Sequence, residues 1–183
     1  DKLAKARSEK IFKMWEGLGY YTRCKNLIET ARFIANEKKG KFPDTYEEIR
    51  ALKGVGPYTA AAIASFAFNL AHPVIDGNVF RVLSRFFGVQ ANIQSGKGKK
   101  IFETLADELL DKKTPGIYNQ AIMDFGAVIC KPKNPVCKSC PLKTRCVANI
   151  KGITDKLPVK NAPIKKRSRW LYYFIVEYNN KFY

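Results

Sequence analysis

Histidine is almost missing: His72 is the only one in 183 residues. It stands before Pro73 in an expected loop, so histidine-based acid–base or triad chemistry is excluded as the main device. No apolar run reaches the length of a membrane span. The opening DKLAKARSEK lacks the apolar stretch of a secretory signal. An intracellular soluble protein is expected. The pattern G-x4-G-K-[ST] is absent, which excludes a P-loop. Acidic side chains are scarce, 16 against 33 lysines and arginines, for a formal net charge of +17. Such an excess repels itself unless a polyanion screens it, which favours nucleic acid first and an anionic membrane surface second.

What is present reads as helix over most of the chain. Ser8–Glu16 puts Ile11, Phe12 and Trp15 on one face, and Gly17 and Gly19 close it. Thr22–Lys39 carries Leu27, Ile28, Ala31 and Ile34 on one stripe, with Gly40 as the stop. Thr45 and Glu48 have the spacing of a capping box. Tyr58–Leu70 is alanine-rich, and Pro57 suits the first turn of its helix. A short extended piece, Pro73–Ile75, leads to Asp76-Gly77-Asn78 and a further helix that Gly88 stops. Lys99–Asp111 and Thr114–Cys130 are amphipathic helices, with Thr114 expected to cap the second. Ile150–Ser168 contains Gly152, Pro158, Pro163 and the run Lys165-Lys166-Arg167, and reads as a linker. The stretch from Arg169 is aromatic and β-branched, with Asn179-Asn180 placed as a hairpin turn.

Four of the five cysteines crowd together, as Cys130-x6-Cys137-x2-Cys140-x5-Cys146. In a chain without an export signal this favours metal or cluster binding over disulfides. Four-cysteine zinc sites are usually built from two close pairs, and only one is present here. A [4Fe–4S] cluster tolerates uneven spacing and is preferred, with zinc as the alternative. Lys131, Lys133, Lys138, Lys143 and Arg145 lie between the ligands and suit a phosphate-binding surface. Cys24 stands alone and reads as an ordinary helix residue.

Leu52-Lys53-Gly54-Val55-Gly56-Pro57 is a glycine turn directly before a helix. Its glycines permit positive φ and leave the backbone bare, and the next helix start favours an anion. A DNA phosphate gripped without base reading fits this turn, as does a plain helix–helix connection. Asp76 sits between apolar residues and a helix start. It suits a helix cap, and also a carboxylate that stabilises a sugar carbocation or positions a water.

LKGVGPYTAAAI, VIDGNVFRVLSR and the four-cysteine spacing together resemble the helix–hairpin–helix DNA glycosylase superfamily. WEGLGYYTRCKNL, the Tyr after GVGP, IDGNV and YNQAIMDFGAVIC resemble its A/G-specific adenine glycosylase branch. The likeness covers nearly the whole chain up to the linker. It implies an all-α fold. Residues 1–111 would form the helical lobe with the hairpin, its first helices missing, and 112–149 the iron–sulfur lobe. Residues 150–168 would be the linker and 169–183 the first strand of a truncated Nudix-like domain. It implies a monomer acting on double-stranded DNA at A:8-oxoguanine or A:G mispairs, by hydrolysis of the N-glycosidic bond after the base is flipped out. Asp76 would stabilise the oxocarbenium-like sugar, with Asn78 holding that site. Leu52, Gly54, Val55 and Gly56 would grip a phosphate, and Tyr20, with Leu18 beside it, would wedge into the duplex. Bifunctional relatives carry lysine where this chain has Tyr58, and tyrosine forms no Schiff base, so a monofunctional enzyme is implied. The branch's general acid, a glutamate followed by Gln-Gln-Thr, is expected upstream of Asp1. Glu9 and Glu16 belong to a different helix. The fragment alone is therefore expected to bind DNA and to lack activity. A non-catalytic DNA-binding module, or a glycosylase of other base specificity, is the alternative.

Overall fold

In the computed structural model, residues 1–162 and 168–182 are described, and most of the regular structure is helical. The chain opens with the single turn α1 (Lys2–Lys5), then α2 (Ser8–Met14) and the long α3 (Tyr21–Asn36). Ile11, Cys24 and Ile28 meet between these three and form one small core, with Leu3, Phe12 and Trp15 packed on it. Cys24 is fully buried, as expected of a small apolar side chain in a helix core.

Next come α4 (Tyr46–Ala51) and α5 (Pro57–Phe68). Thr45 caps α4 as expected, its Oγ1 accepting from Glu48 N at 3.3 Å, but the Glu48 carboxylate turns to Lys38 and the Thr45 hydroxyl instead of the Thr45 N–H, so only half of the capping box forms. Lys38 Nζ bonds Glu48 Oε1 at 2.8 Å and holds its carboxyl below the usual carboxylate range. Ile49, Ala60 and Ala64 form the core between α4 and α5. Small side chains let these helices approach closely, which explains the alanine run.

An irregular segment, residues 69–76, in which His72 N donates to Leu70 O at 2.8 Å, then leads into α6 (Gly77–Phe87). This helix packs on α7 (Gly96–Leu109) and on α8 (Pro115–Val128). Val79, Leu83, Ile93, Phe102 and Ala106 make the third core, with Phe80 edge-on to Phe102. Thr114 stands at the N-cap of α8 but makes no side-chain cap bond. Its hydroxyl instead donates to Asp111 Oδ2 at 2.8 Å, a local loop bond that competes with capping.

After α8 the backbone winds through a single 3₁₀ turn, Cys137–Ser139, to the short α9 (Val147–Ile150), which packs on α6. The stretch read as a linker departs from expectation over residues 150–162. Leu157 is buried, Ile93 N donates to Val159 O at 3.1 Å, and Asn161 N donates to Gln94 Oε1 at 2.7 Å. Gly and Pro mark irregular backbone, and here that backbone is tied down by bonds sequence composition does not reveal. The basic run Lys165-Lys166-Arg167 lies outside the described residues. Asn179 and Asn180 both take positive φ, 49° and 56°, and turn β1 (Glu177–Tyr178) into β2 (Lys181–Phe182). The strand expected from Arg169 is absent before Glu177, where the side chains from Trp170 to Val176 are exposed.

Candidate active site and nucleic-acid interface

Asp76 caps α6 and is more than a cap. Its Oδ1 accepts from Asn78 N at 2.8 Å and from Val79 N at 2.7 Å, while Oδ2 accepts from Asn78 Nδ2 at 2.7 Å. The carboxylate is held in one orientation at the positive end of the helix dipole. Asn78 in turn accepts from Arg81 Nη2 at 2.8 Å. Arg81 is 7% exposed and also donates to Gly77 O, Gly126 O and Cys130 O, the last two at 2.6 Å. Burial pulls its guanidinium below the ordinary arginine value, and the charges of Cys130 and Asp76 oppose that pull. Arg81 went unmarked in the sequence. Its signal was weak: two arginines four residues apart, Arg81 and Arg85, on a helix whose stripe is otherwise apolar.

Tyr58 lies in the first turn of α5, half exposed. With Tyr46, His72, Ile75, Phe80 and Lys99 it lines a groove of about 370 Å³. The chain therefore brings Tyr58 and the residue preceding Asp76 to the wall of one groove. His72 stacks on Tyr46, ring centroids 4.2 Å apart, which is a structural use.

The glycine hairpin is built as expected in part. Gly54 takes φ +78° and Val55 packs toward the core of α4 and α5. Gly56, however, is extended at φ −85°. Leu52 is buried, so its side chain anchors the turn and faces no ligand. Val55 N donates back to Leu52 O at 3.1 Å, which turns that amide inward. Among the described residues no protein bond takes up the N–H of Gly54 or Gly56. From outside, Thr30 Oγ1 donates to Lys53 O at 3.0 Å and Arg50 Nη1 to Val55 O at 2.7 Å. Both are main-chain oxygens of the turn, and tying them down orients its amides. An added Cβ on Gly54 would stand 2.5 Å from Asn26 Nδ2, so this glycine is demanded by packing as well as by φ.

Tyr20 sits at the N-cap of α3 in left-handed conformation, φ 48°, and is 80% exposed, with Leu18 exposed beside it. Gly17 and Gly19 on the same loop also have positive φ. Trp15 Nε1 donates to Gly19 O at 2.9 Å and pins the loop. Trp15 and Arg23 line a groove of about 380 Å³ with Gly54 and Val55. The tyrosine loop and the hairpin thus border one surface.

The four clustered cysteines converge. Cys130, Cys137, Cys140 and Cys146 all line a cavity of about 30 Å³ beside Arg85 and Phe125. Among the described residues no three potential ligands close to metal-binding spacing as they stand. The thiols nonetheless feel one another: burial first, then the charges of Cys130, Cys140 and Cys146, push the Cys137 thiol up. A soft, four-sulfur donor set around one cavity fits an iron–sulfur cluster or zinc. Arg85, 2% exposed, braces this loop. It donates to Lys131 O at 2.8 Å, Pro132 O at 3.2 Å, Thr154 O at 3.0 Å and Leu157 O at 3.1 Å, and touches Cys130 Sγ at 3.5 Å.

Packed helices, a glycine hairpin opening one of them and an aspartate clamped at the start of the next define the helix–hairpin–helix class of DNA-repair folds. The family of HhH-GPD superfamily base excision DNA repair proteins matches residues 1–111, and the chain belongs to that superfamily. Among curated relatives it is 35% identical to an adenine DNA glycosylase of Buchnera aphidicola, over 97% of this chain and 51% of that protein. It is 44% identical to the Homo sapiens adenine DNA glycosylase, over 85% of this chain and 29% of that one. The chain thus spans about half or less of the length of these relatives. Among solved structures, a thermostable thymine-DNA glycosylase superposes with a TM-score of 0.74 at 31% identity, covering 81% of this chain and 69% of that one. Among the described residues no helix is long and apolar enough to cross a membrane.

Proposed function

We propose that the chain is the DNA-gripping and sugar-stabilising part of a monofunctional, monomeric glycosylase that removes adenine opposite 8-oxoguanine or guanine in double-stranded DNA. The observation that carries this is the Asp76 carboxylate, fixed by three N–H donors at the start of α6. A negative charge held rigidly is suited to a positive charge that develops only in the transition state. The bond from C1′ to the adenine nitrogen breaks, and its electron pair leaves with the base. Asp76 faces the resulting oxocarbenium-like sugar, and Asn78 keeps the carboxylate oriented. A water adds to C1′ and gives up a proton, leaving free adenine and an abasic sugar. A general acid protonates the leaving base. The Gly54 and Gly56 amides hold a phosphate, and Tyr20 with Leu18 fills the gap left by the flipped base.

Cys130, Cys137, Cys140 and Cys146 would hold a [4Fe–4S] cluster, whose contribution is to lock the basic loop around them into one shape. Anaerobically purified protein should be brown with about four irons per chain. Stoichiometric zinc without iron overturns that assignment. The activity is tested with the protein expressed from its complete reading frame. Duplexes carrying A opposite 8-oxoguanine are incubated and then heated in alkali. Strand breaks at the adenine are expected, and their absence sinks the proposal.

A further inference from the structure

The YNQ stretch at the start of α8 has no part in the chemistry above, yet its asparagine is among the most deeply buried polar side chains. Asn119 is 1% exposed. Its Oδ1 accepts from Val74 N at 3.1 Å, and its Nδ2 donates to His72 O at 2.9 Å and to Ser65 Oγ at 3.0 Å. Two of these three bonds go to the main chain of the segment that delivers Asp76. Among the described residues that segment pairs with no strand, so the carboxamide satisfies main-chain groups that would otherwise need another partner. An amide is suited to this because it offers a donor and an acceptor side by side.

The surroundings leave little play. A Cβ added to Gly116 would stand 2.9 Å from Ser65 O, so α8 and α5 are in close backbone contact next to the asparagine. Farther along the same helix, Gly126 O accepts from Arg81 at 2.6 Å. Helix α8 therefore holds the aspartate segment on both sides: through Asn119 two to four residues before Asp76, and through Arg81 five residues after it.

We infer that Asn119 is a positioning residue for Asp76, setting where the carboxylate enters the site by fixing the backbone of His72 and Val74. This rests on the proposed role of Asp76 in base release. Misplacing a reacting group by about 1 Å costs up to about 100-fold in rate.

The test uses the full-length protein and a duplex with A opposite 8-oxoguanine, under single turnover. Affinity is read separately on a duplex carrying a tetrahydrofuran abasic analogue. Asn119→Ala and Asn119→Asp should lower the excision rate about 10–100-fold, with affinity for the analogue duplex within about twofold of the parent. Ser65→Ala leaves both main-chain bonds in place and should stay within about threefold of the parent rate. The inference is overturned if folded Asn119→Asp keeps the parent rate. It is equally overturned if rate and affinity fall together, or if Ser65→Ala loses as much as Asn119→Ala. Should the alanine variant not fold, the aspartate variant keeps the shape and decides. Amide exchange in the unmutated protein needs no variant: Val74 N–H should be among the slowest of residues 70–76, and fast exchange there refutes the bond. An unmutated protein that releases no adenine refutes the proposed function instead, and Val74 exchange still judges the role of Asn119.

Discussion

Asn78 holds the Asp76 carboxylate from the side, with Nδ2 donating to Oδ2 at 2.7 Å, while the Asn78 main-chain N–H donates to Oδ1 at 2.8 Å. One residue thus supplies a donor to each oxygen. The other face of the Asn78 carboxamide is fixed by Arg81, so its donor side is turned toward the aspartate and cannot flip without losing both bonds.

Asp76→Asn separates capping from catalysis. Asparagine keeps the cap through its Oδ1, so the helix should survive, while the bond from Asn78 Nδ2 is lost at a cost of about 1 kcal/mol. The charge that would meet the sugar is gone. Single-turnover adenine release should fall at least about 100-fold, with duplex affinity retained. A folded variant with the parent rate removes Asp76 from the mechanism.

Gly126→Ala should damage the site from behind. The added Cβ would stand 2.6 Å from Asn78 Cβ and 3.1 Å from Asn78 O, and neither belongs to the far end of a flexible side chain. Relieving the overlap means moving Asn78 or separating α6 from α8, at a cost of about 1–3 kcal/mol. Thermal unfolding should show the loss. Excision should slow in the fraction that remains folded, because Asn78 no longer meets Asp76. An unchanged melting temperature contradicts this packing.

The two hairpin glycines should behave differently. Gly54→Ala meets both a left-handed φ of +78° and the Asn26 side chain, so it should destabilise the fold and weaken DNA binding together. Gly56 is extended, and a Cβ there meets nothing within 4 Å. Gly56→Ala should therefore leave the melting temperature in place and crowd only a bound phosphate. Affinity should drop, measured as a binding curve at two salt concentrations. Unchanged affinity in Gly56→Ala moves the phosphate grip elsewhere.

Most helices were legible because their apolar residues recur at helical spacing and their ends carry Thr45, Asp76, Gly88 or Pro57. The cysteine cavity was legible because spacing alone constrains four thiols. The clamp behind Asp76 was not. Arginine is rarely buried, and nothing in VFRVLSRFF says that Arg81 and Arg85 spend their donors on main-chain oxygens from distant loops. The same holds for residues 150–162, whose glycine and proline mark irregular backbone but not whether it is free. Leu52 and Val55 show the limit within a motif. The sequence shows a turn with bare glycines, but which amides point outward depends on the Leu52–Val55 bond and on Thr30 and Arg50.

The proposal that the reaction stops at base release rests on Tyr58. A phenol cannot condense with an aldehyde to form an imine, whereas a lysine amine can, with loss of water. Tyr58 is half exposed at the groove wall that also contains Ile75, so a longer, flexible side chain has room to enter. Tyr58→Lys in the full-length protein should therefore form an imine with the abasic sugar. Borohydride then reduces it to a stable secondary amine, seen as a protein–DNA adduct on a denaturing gel. The parent protein should give little adduct and little strand cleavage without alkali. An equal yield from the parent means that another amine already reaches the sugar, and the monofunctional assignment fails. No adduct from a folded, DNA-binding Tyr58→Lys places residue 58 out of reach of C1′.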